Sequence, residues 1–148
     1  MTLVYVAFLF FAIYNAGCMT TLQIQHYGIY PEVGQDHFIT YIHANNRAAL
    51  FPTILPAMLL LALSVLLIFW RPSYVHPLEA TVALVLNLVA LVSTFIWQRP
   101  IQAHLAETGH DAEAIRRLIR TNWIRTVSHW VIAVDAVIPV FRVLAERT

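Results

Sequence analysis

The stretch that decides the fold is "AALFPTILPAMLLLALSVLLIFW", residues 48–70, in which no side chain is charged. A helix needs about 20 apolar residues to cross a hydrocarbon layer, because each residue rises about 1.5 Å through a core about 30 Å thick. Residues 3–22 and 80–98 are equally free of charge, and a fourth apolar segment, 127–147, carries Asp135 and Arg142 within it. The whole chain of 148 residues is 59% hydrophobic and 11% charged, against about 25% charged residues in an ordinary soluble domain. One small soluble core cannot hide that excess. The expected fold is therefore all-α, an integral membrane four-helix bundle in up-down-up-down order, forming a single domain over residues 1–148. The first span has no basic leader and a longer apolar run than a signal peptide uses, so it is expected to be retained.

Working outward, short connections separate the spans. "YGIYPEVGQ" follows the first, "RPSYVHP" precedes the third and "ETGHDAE" leads into the fourth. Such connections favour neighbouring antiparallel helices. The stretch "DHFITYIHANNR" joins directly onto residues 48–70 and reads as part of one long second helix, with Pro52 and Pro56 kinking it and opening a lipophilic pocket beneath its polar end. Four crossings put both termini and the 71–77 turn on one side of the membrane. The other side receives the polar helix extensions and six of the seven histidines, His76 being the exception.

At about 100° per residue, those extensions form stripes. Asn122, Arg125, Thr126 and His129 share a third of the fourth helix, with Trp123 and Trp130 on a neighbouring face. Asp36, Thr40, His43 and Arg47 make a stripe on the second helix, Asn15, Met19 and His26 on the first, and Gln98, Gln102 and His104 lie around Pro100 on the third. Exposing such groups to lipid is costly, so the stripes are expected to turn inward and share one polar cavity. Trp97, Trp123 and Trp130 also fit an interfacial aromatic belt. Asp135 falls on another face and suits an interhelical or subunit contact.

Imidazole is both the commonest metal ligand and a general base near neutral pH. His26, His43, His104 and His129 come from four helices and are the candidate ligands of a copper, iron or zinc ion, or of haem. No HExxH, cysteine pair or Glu-x-x-His accompanies them. Arg47 and Arg125 suit an anionic or developing-anion group, which guanidinium holds with paired donors. Nucleic-acid binding has no electrostatic footprint, since the formal net charge is +1 and all nine basic residues are arginine. The lone Cys18 permits no intrachain disulfide.

"HANNR", "WQRPIQAHL" and above all "NWIRT" resemble a broad family of small four-helix membrane proteins that includes the anthrone oxygenases of polyketide pathways. The likeness runs from about Gly17 to Trp130, with "QDHFITYIHANNR" approximating a "Y-x-x-x-x-F-x-x-Y-x-x-x-N" neighbourhood. "WQRPIQAH" stands where many members carry "N-x-P-x-N". The resemblance implies the fold, and for the anthrone oxygenases it implies oxidation of an aromatic, quinone-forming substrate by dioxygen. It places Asn122, Trp123, Arg125 and Thr126 at the site, with Gln98 and His104 from the third helix.

Two functions follow. The first is a membrane oxidoreductase, oxygenase-like, acting on a lipophilic aromatic or quinone-type molecule, with His43, His129, Arg125 and Asn122 as catalytic residues and Arg47, Gln98, Trp123 and Thr126 binding substrate. The second is a haem- or metal-binding membrane protein in electron transfer or as an accessory subunit. A transporter finds no inverted repeat to support it. Expected partners are membrane lipid, a lipophilic small molecule and a second copy in a homodimer. The expected location is a bacterial inner membrane. Arg47, Arg99, Arg116, Arg117, Arg120 and Arg125 outnumber Arg71, Arg142 and Arg147, which puts the polar site on the cytoplasmic face.

Overall fold

The computed structural model describes residues 1–146, and every regular element among them is helical. Helix α1 (Thr2–Thr21) continues through a π-turn (Leu22–His26) into a 3-10 turn (Tyr27–Glu32). Helix α2 (Gln35–Ala48) is followed by a second π-turn (Leu50–Ile54) and helix α3 (Leu55–Phe69). Helix α4 (Pro77–Ser93), a third π-turn (Thr94–Gln98) and helix α5 (Arg99–Thr108) make one continuous rod. Helix α6 (Ala112–Ala145) runs for 34 residues. Four segments, Thr2–Glu32, Leu50–Phe69, Pro77–Thr108 and Ala112–Ala145, are long and apolar enough to cross a membrane.

Local chemistry explains the element ends. The Asp111 side chain accepts hydrogen bonds from the Glu113 and Ala114 amides at 2.9 and 3.1 Å, capping α6. His76 and Glu79 form a reciprocal capping box at the start of α4. Gly109 ends α5 at φ 85°, a left-handed backbone that glycine adopts without a Cβ clash.

The expected single second helix is interrupted at Ala49. Pro52 has no amide hydrogen to offer the Ala48 carbonyl. The Ala49 carbonyl instead takes both the Thr53 and the Ile54 amides at 3.1 Å, and the second of these bonds widens the turn. Pro56 likewise frees the Pro52 carbonyl, which accepts from the Tyr14 hydroxyl at 3.0 Å and the Cys18 thiol at 3.4 Å. Where the sequence suggested a pocket beneath the prolines, side chains of α1 take up the released carbonyl.

Helix α6 packs against α1 and α4, and α3 packs against the same two. At one end the Tyr5 hydroxyl donates to the Ala136 carbonyl at 2.6 Å. At the other, the Asn122 amide donates to Gln23 Oε1 at 2.8 Å. The interior is layered. One apolar cluster gathers Phe8, Ala12, Leu60, Leu67, Ala83 and Ile132. A second gathers Tyr30, Phe38, Ile42, Leu105, Ile115 and Leu118. Between them, along α1 and its π-turn, the α4–α5 rod and α6, lie the buried polar residues Asn15, Gln23, Ser93, Gln98, Asn122, Thr126 and His129, while Asn87 donates to Ser64 within the first cluster at 2.8 Å.

Candidate functional site

Helix α6 is α-helical throughout, so its polar stripe keeps its phase. Asn122, Thr126 and His129 are buried, and Arg125 is half-buried beside them. The Asn122 amide reaches Gln23 Oε1, and Gln23 Nε2 donates back to the Ile119 carbonyl at 3.1 Å. Thr126 donates to the Asn122 carbonyl at 3.2 Å. His129 Nδ1 lies 2.7 Å from the Arg125 carbonyl. A carbonyl can only accept, so the proton of the neutral ring is on Nδ1 and Nε2 keeps its lone pair.

The Arg125 guanidinium meets weak partners. Nη2 points at the Met19 thioether sulfur at 3.5 Å, and the head group lies beside the Tyr27 hydroxyl. That hydroxyl also accepts from Gln102 Nε2 at 3.0 Å. Two ion pairs occur among the described residues, His104–Asp111 and Arg142–Glu79, and neither includes Arg125. A guanidinium inside a bundle without a carboxylate is costly unless another anion or a set of dipoles compensates it.

Among the described residues, three buried side-chain atoms have no hydrogen-bond partner: Asn122 Oδ1, Gln98 Nε2 and Asn15 Oδ1. Each such atom costs about 1–3 kcal/mol. Gln98 is held by its other end, because the Ser93 hydroxyl donates to its Oε1 at 3.2 Å across the third π-turn. The layer therefore presents one unmatched cation, one unmatched amide donor and two unmatched carbonyl acceptors.

A second group ties α2 to the end of the first rod. Asn45 Nδ2 donates to the Tyr30 hydroxyl at 3.0 Å, Tyr30 lies 3.2 Å from His26 Nε2, and Tyr41 lies 3.4 Å from His26 Nδ1. In the neutral ring one nitrogen donates to its phenol and the other accepts from its phenol, the tautomer of His26 deciding which. Burial pushes the Tyr41 hydroxyl above its ordinary pKa, so it remains protonated at neutral pH.

Several expected site residues lie elsewhere. Asp36, Thr40, His43 and Arg47 are all exposed, and the buried face of α2 is instead Phe38 and Ile42, flanked by half-buried Tyr41 and Asn45. His43 and Arg47 therefore do not face Asn122, Arg125 and His129. His104 is paired on the surface with Asp111 at 3.1 Å and with Thr108. Trp123 is 49% exposed, as is Trp130, whose indole donates to Thr20 at 2.8 Å. The set His26, His43, His104 and His129 does not assemble, and among the described residues no three His, Cys, Asp or Glu side chains are grouped to hold a metal ion. The donor arrangement does not fit the four-histidine metal or haem site.

Two further residues, outside the stripes read from sequence, complete the layer. Gln23 continues the four-residue rhythm of Asn15 and Met19, and that spacing alone would have found it. Tyr27 is the next step of the same rhythm, four residues beyond Gln23.

Compared with models of protein families, with curated proteins and with solved structures, the chain matches none.

Proposed function

We propose that the chain is an integral membrane protein whose four helices cross in up-down-up-down order, and that Arg125 holds the oxygen of a lipophilic phenol- or quinone-type molecule inside it. The observation that carries this reading is the Arg125 guanidinium with no carboxylate partner, set between Met19 and Tyr27. A phenolate or enolate oxygen supplies the missing negative charge. Gln98 Nε2 and Asn122 Oδ1 are further groups of the layer that lack partners, a donor for a carbonyl and an acceptor for a hydroxyl.

The reaction class is oxidoreduction, as the resemblance to the anthrone oxygenases implies. Dioxygen would convert a ring CH2 to a carbonyl, with the two hydrogens and the second oxygen atom leaving as water. His129 Nε2 is the base that takes the first proton, and Arg125 stabilises the oxygen on which the resulting charge settles. The arginine balance places this site towards the cytoplasmic face of a bacterial inner membrane, although Arg147 falls outside the described residues.

Titration of the detergent-purified protein with a hydroxynaphthoquinone, followed by the absorbance of its ionised form, tests the reading. Arg125→Ala removes a charge-assisted bond of about 2 kcal/mol and should weaken binding roughly thirtyfold. Arg117→Ala, on the exposed face of α6, should leave it unchanged. Equal affinities in the two variants would refute the assignment. Oxygen uptake with an anthrone then separates an oxidase from a binding protein.

A further inference from the structure

The opposite end of the molecule carries a second polar site. The turn between α3 and α4 and the last turn of α6 enclose an open cleft of about 700 Å3, with Arg71, Ser73, His76, Arg142 and Glu146 on its walls and Phe69 at its edge. The first four present hydrogen-bond donors. The Leu78 amide donates to His76 Nδ1 at 3.2 Å, so the proton of the neutral ring sits on Nε2. Arg142 is braced at 2.6 Å by Glu79 and at 2.7 Å by the Tyr74 carbonyl, which fixes its fork at the cleft wall. Arg71 bonds only the Ile68 carbonyl, at 3.2 Å, and forms no ion pair among the described residues. The Ser73 hydroxyl is exposed and donates to no group of the described chain.

Among the described residues that line the cleft, Glu146 is the one with a carboxylate. With Glu79 it offsets the two arginines, so the cleft selects by directed donors rather than by a strong positive field. Its height is set by aromatic residues: Phe69 is 75% exposed and Trp70 58% exposed, directly beside Arg71. A tryptophan, with an apolar ring and a polar N–H, settles at the headgroup level of a bilayer, where lipid phosphates lie, and Phe69 beside it suits the acyl chains.

We propose that this cleft binds the phosphodiester of a membrane phospholipid, with Arg71, Ser73 and the His76 Nε2–H donating to its oxygens and an acyl chain lying against Phe69. The assignment rests on the membrane-spanning reading and is independent of the chemistry at Arg125. Inorganic phosphate presents the same oxygens without the chains, and it is the source to be distinguished.

The test uses the full chain, purified in detergent and stripped of lipid, with bound adducts followed by native mass spectrometry and stability by thermal unfolding. Dioleoylphosphatidylglycerol should bind as a discrete adduct and raise the melting temperature, since a ligand of the folded state alone stabilises it. Dioleoylglycerol, which lacks the phosphate, and millimolar inorganic phosphate should do neither. Arg71→Gln combined with Ser73→Ala should lower the phospholipid affinity at least tenfold, and Arg99→Gln at the other end should not. Ser73→Ala alone disturbs no bond of the fold and should still weaken binding severalfold. Wild-type affinity in both Ser73 variants, or equal binding of dioleoylglycerol, would overturn the site, and phosphate binding as tightly as the lipid would overturn the lipid assignment. Extraction of the wild-type chain from membranes by a carbonate wash would sink the membrane reading itself, whatever the cleft does.

Discussion

At the scale of single residues, the contrast between Asp111 and Arg125 shows how the same chain treats charge at its surface and in its interior. Asp111 sits at the solvated start of α6 and collects the Ala114 and Glu113 amides and the His104 ring. The Ala114 amide first, and then His104, hold its carboxyl below the usual carboxylate range. A depressed folded pKa means stability that is present above the unfolded value and lost as pH falls through the folded one. Asp111→Asn should therefore lower the melting temperature at pH 7, and the gap to wild type should close as the pH is taken below the carboxylate range. A gap that is constant from pH 7 to pH 3 would show that the charge contributes nothing. Arg125 has no such neighbours among the described residues, only the Met19 sulfur and the Tyr27 hydroxyl, and that asymmetry is the ground of the proposal made for it. Its place was legible in the sequence because "NWIRTVSH" lies on an uninterrupted helix, where spacing converts directly into facing.

At the scale of elements, the three π-turns decide what spacing could and could not reveal. Each one adds a residue to a turn and so rotates everything beyond it by about 100° relative to a regular helix. Along the α4–α5 rod the buried positions run Ala83, Asn87, Ala90, Ser93 and then Gln98, Ile101, Leu105, with one five-residue step across the π-turn. Helix α2 contains no such turn, and on it Phe38 and Ile42 face in while Asp36, Thr40, His43 and Arg47 lie on the outside. What spacing leaves open on α2 is which of its two faces turns inward, and the apolar pair Phe38 and Ile42 decides it. Separated from α3 by the π-turn beyond Ala49, α2 should behave as a unit docked by His26, its two phenols and Asn45. His26→Phe keeps the ring volume and removes two hydrogen bonds of about 1 kcal/mol each, so amide exchange in residues 35–48 should quicken roughly thirtyfold. Residues 55–69 should exchange as in wild type. Uniform acceleration of both segments would mean that α2 and α3 open together and that Ala49 is no boundary.

For the whole molecule, the number of long apolar segments was readable because a charge-free run of about 20 residues rarely forms anything but a helix of membrane length. The layering was not, since it depends on which helix faces meet: apolar clusters at the two ends and a polar layer between them. That arrangement bears on orientation. If Arg125 belongs to a ligand site, its charge is held by function and should be discounted from the topological bias, which leaves Arg47, Arg99, Arg116, Arg117 and Arg120 against Arg71, Arg142 and Arg147 in the sequence. Five against three keeps the bias that directs the α5–α6 turn to the cytoplasm. The single native cysteine makes a direct test possible. In a Cys18→Ala background, Thr2→Cys and Glu107→Cys place one exposed thiol at opposite ends of the bundle. A membrane-impermeant maleimide added to intact cells should label the first and reach the second only after lysis. The reverse pattern would put the Arg125 layer towards the outer face, which would supply its ligand from outside the cell and leave the cleft at Arg71 facing the inner leaflet. Labelling of both thiols in intact cells would contradict the four-span arrangement, because the two positions could not then lie on opposite sides of one bilayer.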